Sequence, residues 1–169
     1  MTVRGARALR RAALSVVLLG AVCAGAGGPR AHRPGAGLDG VLVAADLPAA
    51  RQLALGSTPP SDLVALWQSV LWADGYTAAS AVTCAYDRAT AGATRIWQNN
   101  HHLSPDGIVG PATWGVAAER IVPARGWMVY MGERHGLPLR LDADGAYEVY
   151  DGGRFHTLRT DGVTLAQCR

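Results

Sequence analysis

The side chains best suited to catalysis or metal binding lie from residue 84 onward: Cys84, His101, His102, His135, His156 and Cys168. A zinc hydrolase needs about three converging ligands and a general base. The histidines follow no His-Glu-x-x-His spacing, and the sequence holds no Cys-x-x-Cys pair. The spacing therefore predicts no metal site, no cofactor and no metal-dependent hydrolysis.

Nucleophilic catalysis is also poorly indicated. A cysteine nucleophile needs a nearby base, yet Cys168 is the penultimate residue and no Ser-x-Gly-Cys stretch precedes it. The Gly-x-Ser-x-Gly pattern of serine hydrolases is absent. We therefore predict no catalytic residue, and an enzyme is the least favoured class.

Residues 1–26 have the pattern of an export signal. Arginines at the start precede an apolar run over 12–22, and Ala24-Gly25-Ala26 is an Ala-x-Ala cleavage pattern. The run is shorter than the roughly 20 residues that span a bilayer, so we expect no stable membrane insertion once the signal is removed. Lipidation at Cys23 and twin-arginine export remain as alternatives to ordinary secretion.

Charge does not point to nucleic acid. The formal net charge is +3, but Arg4, Arg7, Arg10 and Arg11 all lie in the export signal, which contains no acid. Removing the signal removes the basic excess, and with it the usual indication of nucleic-acid binding. The remaining Cys84 and Cys168 are expected to form a disulfide bond, as exported cysteines commonly do; two buried thiols are the alternative.

Three helices are predicted between residues 58 and 122, after a proline- and glycine-rich linker at 27–57 that could contain a short helix. Ser61 is a candidate N-cap for the first helix, and Gly75 ends it. The second helix begins at about Asp87 or Thr90 and ends at Asn100. The predicted inward face of the second helix is Ala89, Ala93, Ile96 and Trp97. A third helix follows Gly110-Pro111, and its predicted inward face is Trp114, Ala117, Ala118 and Ile121.

The chain from 123 to 169 is predicted to be a β-rich tail. Four short segments at 127–131, 137–141, 147–150 and 155–158 have strand character, with Asp-Gly turns between them. Because so short a tail is a weak independent domain, the disulfide bond is expected to hold it on the helices. The predicted fold class is mainly α: a three-helix module followed by a small antiparallel β-hairpin tail.

Three stretches in the helical region resemble the peptidoglycan-binding domain type 1 family. The first helix with Gly75-Tyr76 resembles the family's first helix and its exit, and Ile96-Trp97-Gln98 resembles its aromatic-Gln pair. The stretch 106–114 is close to its closing Asp-Gly-x-x-Gly-x-x-Thr motif. Many members have a similar motif before the second helix. In this sequence Thr90 keeps the threonine of that motif, but the stretch around Cys84 lacks its glycines.

The resemblance implies non-covalent, non-catalytic binding of bacterial cell-wall peptidoglycan, and a secreted, wall-associated location. Such a ligand calls for aromatic faces, amides and an arginine. The candidate ligand-binding residues are Tyr76, Tyr86, Arg88, Gln98, Asn99 and Asn100. The closing motif is expected to serve as turn, cap and core rather than as contacts, and its residues are Asp106, Gly107, Gly110, Pro111, Thr113 and Trp114.

Two other functions stay open. The module could be only a scaffold in an exported interaction or inhibitory protein, whose β-rich tail contacts a protein partner through Trp127, Tyr130, Tyr147 and Tyr150. A cell-wall hydrolase is considered because modules of this family often accompany such enzymes, but it is the less favoured alternative since no catalytic pattern is present.

Overall fold

The computed structural model describes residues 40–168, so the predicted export signal and the first part of the linker lie outside the described residues. Three α-helices come first: α1 (Asp62–Ala73), α2 (Arg88–Asn100) and α3 (Pro111–Glu119). Five strands follow: β1 (Ile121–Ala124), β2 (Trp127–Met131), β3 (Gly136–Leu141), β4 (Tyr147–Asp151) and β5 (Arg154–Thr157). Short 3₁₀ turns lie at Ala44–Ala49, Ala79–Ala81 and Ala166–Cys168.

The prediction of a mainly α fold is wrong. Helices account for 36% of the structure and strands for 23%, and the strands form one antiparallel sheet in the order β1-β2-β3-β4-β5. The sequence pattern missed β1, because Pro123 suggested only the end of a helix. Pro123 is instead a strand residue opposite Met128. Between residues 40 and 168, no helix is long and apolar enough to cross a membrane.

The helix ends are set by the residues that the sequence indicates. The Ser61 hydroxyl accepts a hydrogen bond from the Val64 amide at 3.4 Å, and the Asp87 carboxylate accepts one from the Thr90 amide at 2.7 Å. Gly110 caps α3, and Pro111 is its first residue, where the missing N–H costs nothing. The Ser61 and Asp87 caps satisfy amides that no helical carbonyl can reach.

Three tryptophans form the centre of the core. Trp67 on α1 lies edge-on to Trp97 of α2 and Trp114 of α3, with ring centroids 5.1 and 5.4 Å apart. The Trp67 indole also donates to the Thr94 hydroxyl at 2.8 Å. All three indoles are fully buried, which agrees with the inward positions expected for Trp97 and Trp114.

The predicted inward face of α2 is partly wrong. Ile96 is 58% exposed, because the helix is rotated so that Thr90, Thr94 and Gln98 face inward beside Trp97. Polar side chains can occupy this face since each is hydrogen-bonded inside the protein. Hydrophobic periodicity cannot anticipate a buried face made of threonine and glutamine.

Residues 40–57, predicted as part of a linker, pack closely in the structure. Leu42, Leu47 and Leu53 are fully buried. Val41 and Val43 form β-bridges to Arg159 and Ala146, next to β5 and β4. This segment therefore contributes to the core and extends the sheet, and a free spacer is not found where the structure is described.

Two buried carboxylates, one at each end of α1, fasten the C-terminal half of the chain to the helices. Asp62 accepts hydrogen bonds from the backbone amides of Arg159 and Thr164 at 3.1 and 2.8 Å, and from the Thr164 hydroxyl at 2.6 Å. At the other end, Asp74 accepts from the Tyr130 hydroxyl at 2.6 Å. The sheet is therefore built on α1 and is not a detached tail.

The expected disulfide bond is present. Cys84 and Cys168 are bonded, with Cα atoms 5.8 Å apart across 84 residues of sequence. Cys84 is buried in the loop before α2, and Cys168 lies in the last 3₁₀ turn. The bond joins the end of the chain to the helical region, as the sequence predicts.

Candidate ligand-binding surface

Gln98 organises the turn before α3. Its side-chain nitrogen donates to Asp106 Oδ1 at 2.9 Å, to the Ile108 carbonyl at 2.8 Å and to Thr113 Oγ1 at 3.1 Å. Its oxygen accepts from the Gly107 amide at 2.9 Å. Gln98 is 1% exposed, so this amide, a candidate ligand contact from the sequence, is fully engaged in holding the turn.

The closing motif has the geometry that such a turn requires. Gly107 has φ +74°, and a Cβ there would lie 3.0 Å from the Ala91 carbonyl oxygen, so both conformation and space favour glycine. Asp106 also accepts from the Ile108 amide at 2.8 Å. Thr113 and Trp114 are buried. These residues shape the turn, cap the helix and fill the core.

Gln68, which the sequence reasoning did not single out, does the same work for the turn before α2. Its nitrogen donates to Thr83 Oγ1, the Ala85 carbonyl and Thr90 Oγ1 at 3.2, 3.0 and 2.9 Å. Its oxygen accepts from the amides of Thr83 and Cys84, both at 2.9 Å. The Trp-Gln pair occurs twice in the sequence, at 67–68 and 97–98, and this repeat could have indicated the role of Gln68.

Cys84 stands where the second turn has Gly107. Its φ is +62°, a conformation that side chains rarely adopt, and its amide is bound by Gln68 as the Gly107 amide is bound by Gln98. Thr90 and Thr113 likewise occupy equivalent places. The first turn therefore keeps the shape of the second without its glycine, and the disulfide bond of Cys84 anchors it.

Tyr86 ties the two turns together from inside. It is 5% exposed, and its hydroxyl lies 2.9 Å from the Gly107 carbonyl, to which it donates, and 3.0 Å from Thr94 Oγ1. Burial raises the pKa of Tyr86 to about 12. The structure thus places this second candidate contact in the core.

Stability is expected to fall as the pH rises from 10 to about 12. In the unfolded chain Tyr86 loses its proton near pH 10, whereas the folded protein keeps it until about 12. Above pH 10 the unfolded state therefore binds fewer protons, so the free energy of unfolding decreases by up to about 1.4 kcal/mol per pH unit for this group. Burial raises the pKa values of Tyr130 and Tyr147 in the same direction.

Urea unfolding of wild type and Tyr86→Phe at pH 8 and pH 11 measures this contribution. The variant should lose about 1 kcal/mol at pH 8, where it lacks one hydrogen bond. It should then lose less than wild type between the two pH values. Equal losses would show that Tyr86 does not titrate differently in the two states.

The remaining candidates divide into two groups, and all are exposed except Tyr76, which is half-buried against the core. At the carboxyl end of α2, the Asn100 side-chain nitrogen donates to the Tyr76 hydroxyl at 3.0 Å, and Asn99 lies beside it, exposed. Arg88 is exposed at the first position of the same helix. Twelve residues of helix rise about 18 Å, so Arg88 and the two asparagines do not share one small site.

The region that contains the helices and the two Gln-centred turns is similar to a known family. Residues 60–116 match the family model of a putative peptidoglycan binding domain. This match confirms the resemblance drawn from the three sequence stretches. No curated protein and no solved structure matches the chain.

The matched segment, residues 60–116, covers roughly one third of the 169 residues. It includes all three helices and both turns, and α3 extends only three residues beyond it. The segment 40–57 and the five-stranded sheet lie outside the match. The match therefore relates the helices to a known family and says nothing about the function of the sheet.

The side chains of His101 and Arg120, at the carboxyl ends of α2 and α3, take part in contacts that serve the fold. His101 stacks on Trp97 at 3.8 Å, and its Nε2 lies 3.0 Å from Arg120 Nη1. Because a guanidinium only donates, the ring proton is assigned to Nδ1, which faces the Trp97 carbonyl at 2.8 Å. Within the described range, no three His, Cys, Asp or Glu side chains are grouped as metal ligands would be.

Proposed function

We propose that the chain is an exported protein that binds bacterial cell-wall peptidoglycan non-covalently and without catalysis. The observation that carries the proposal is the match of residues 60–116 to a putative peptidoglycan binding domain. The geometry supports it, because both turns of that segment are fully formed even where Cys84 replaces a glycine. A disulfide bond is consistent with an oxidising, extracytoplasmic location.

The contact surface that we propose on the segment is the carboxyl end of α2. Tyr76 and Asn100 place a phenol and an amide together there, and Asn99 adds a second exposed amide in the same turn of the helix. Amides and hydroxyls can exchange hydrogen bonds with the acetamido, hydroxyl and peptide groups of the wall polymer. Tyr86 and Gln98 act indirectly, by holding the turns, and Arg88 lies at the other end of the helix.

The non-catalytic part of the proposal rests on how reactive side chains are used. Cys84 and Cys168 are bonded to each other, so neither is a free thiol nucleophile. The buried carboxylates Asp62 and Asp74 each accept several hydrogen bonds from the chain. A general acid or base must reach a substrate, and these two groups are committed to joining α1 to the sheet.

Co-sedimentation tests the proposal. The full-length chain is expressed in an exporting bacterial host, purified in its oxidised form and mixed with insoluble peptidoglycan sacculi or with cellulose. The intact mass reports whether cleavage occurs before Gly27. We expect selective pelleting with sacculi. Folded protein that stays in the supernatant would overturn wall binding and favour the interaction-protein alternative.

Two single substitutions locate the contact surface. Asn100→Ala should weaken pelleting several-fold, because it removes an exposed amide and releases the Tyr76 hydroxyl. Arg88→Ala is the matched control, since it removes an exposed side chain at the opposite end of the same helix. Equal binding by both variants would place the contact elsewhere.

A further inference from the structure

A groove opens where the sheet divides. β3 pairs with β4 through two residues only, Arg140 with Glu148 and Leu141 with Tyr147. The earlier half of β3 follows β2 instead. The gap between the two halves of the sheet is a groove of about 670 Å³, floored by Ala65, Leu66, Ser69 and Trp72 of α1.

An aromatic strip forms one wall of this groove. Phe155 on β5 lies between Trp127 of β2 and Tyr150 of β4, with ring centroids 5.8 and 5.3 Å away. The Arg140 guanidinium covers one face of Phe155 at 3.6 Å and is held by Glu148 at 2.6 Å. The arrangement fixes Phe155 and leaves the outer rings open, since Trp127 is 40% and Tyr150 65% exposed.

The groove offers little net charge to a ligand. Asp151 is its only lining carboxylate among the described residues, and it accepts hydrogen bonds from the Ala166 and Gln167 amides. Ser69 donates its hydroxyl proton to the Ala65 carbonyl at 2.8 Å. A neutral ligand with apolar faces fits this lining better than a phosphate polymer or a peptide carboxylate, either of which needs a cation.

We propose that this groove binds the glycan part of the wall polymer, a neutral chain of N-acetylated amino sugars whose ring faces stack on Tyr150 and Trp127. The inference rests on the proposed function. Sugar rings present C–H faces to aromatic rings, and acetamido methyls suit an apolar floor. The volume lies in the range of sites for ligands of a few rings. Because α1 belongs to the matched segment and floors the groove, a glycan in the groove would lie against that segment.

The soluble N-acetylglucosamine tetramer is the probe, and isothermal titration calorimetry is the measurement on the oxidised, secreted protein. Wild type should bind it saturably. Tyr150→Ala should weaken binding about tenfold or more, as loss of an aromatic anchor commonly does. Tyr150→Phe should bind as wild type, because it keeps the ring. Leu55→Ala is the matched control, because Leu55 is also an exposed, apolar side chain but lies outside the groove. This variant should bind the tetramer as wild type does.

Sacculus pelleting separates this inference from the proposed function. If wild type pellets with sacculi but the tetramer does not bind, the groove is not the glycan site and wall binding stands. Equal tetramer binding by wild type and Tyr150→Ala also overturns the inference. Tetramer binding without pelleting would keep a glycan site in the groove and overturn wall binding.

Discussion

Replacing Asp74 with alanine is expected to lower the free energy of unfolding by about 3–5 kcal/mol, the usual cost of breaking a buried charged network. Asp74 accepts from the Trp97 indole at 2.7 Å, the Tyr130 hydroxyl at 2.6 Å and the Glu133 amide at 2.9 Å. Arg120 adds an ion pair at 3.4 Å. Alanine leaves the buried Trp97 indole and Tyr130 hydroxyl without this acceptor, and each unsatisfied buried group is costly.

The effect should reach beyond one helix end, because the partners of Asp74 come from separate elements. Trp97 is on α2 and Tyr130 is on β2, while Glu133 follows β2. The carboxylate therefore connects the matched segment to the sheet. Hydrogen exchange should show faster exchange of β1 and β2 amides in Asp74→Ala than in wild type, since local opening follows lost contacts.

Urea unfolding of three proteins measures the energy. Asp74→Asn keeps one oxygen as acceptor but loses the charge, so its stability should fall between those of wild type and Asp74→Ala. Asp144→Ala, which removes an exposed carboxylate, should change stability by no more than about 0.5 kcal/mol. A loss below 1 kcal/mol in Asp74→Ala would mean that the network does not hold the sheet to the helices.

Local signals were enough to predict the helices and most strands. Ser61, Asp87 and Pro111 mark helix starts because a cap acts on amides two or three residues away. The Asp-Gly pairs at 144–145 and 151–152 separate strands that the structure places within about a residue of the predicted bounds. Information of this kind lies within a few residues of sequence and needs no knowledge of the fold.

The parts that were missed depend on contacts between distant residues. Asp62 looked like a first-turn helix residue, yet its carboxylate binds amides about a hundred positions away. Leu42 and Leu53 carry no periodic pattern, but bridges to the sheet and to Val109 bury their segment. The mainly α prediction failed because it treated the strands as a small tail, whereas with β1 they form one five-stranded antiparallel sheet.

The candidate site was predicted only by residue type. An amide or phenol near a turn can bind a ligand or form a hydrogen bond inside the protein, and the sequence does not distinguish the two. Gln98 and Tyr86 form hydrogen bonds inside the protein. Tyr76 and Asn100 are brought together by the ends of two helices. Three strands contribute the aromatic strip of Trp127, Phe155 and Tyr150. The local sequence does not predict how these strands are aligned with one another.

Removing the disulfide bond is expected to lower the free energy of unfolding by about 4.6 kcal/mol in the chain-entropy relation for a loop of this length. The bond spans 84 residues of sequence, so the reduced unfolded chain gains many conformations. The double variant Cys84→Ala/Cys168→Ala is the cleanest test, because it leaves no free thiol at either position.

The folded structure should survive this change. Asp62 still binds the backbone at 159 and 164, and Gln68 still holds the loop around residue 84. Near-ultraviolet circular dichroism should therefore match wild type at neutral pH. The cost lies in the unfolded state, whose dimensions the bond restricts.

The dependence of unfolding on urea separates this variant from Asp74→Ala. An uncrosslinked unfolded chain exposes more surface, so the slope m should increase in the double cysteine variant, whereas Asp74→Ala should leave m unchanged. Wild type reduced with dithiothreitol should reproduce the variant in both midpoint and slope. An unchanged slope together with a loss of several kcal/mol would instead show that the bond acts mainly by stabilising the folded state. There it would hold Cys84 at its positive φ and keep the shape of the first turn.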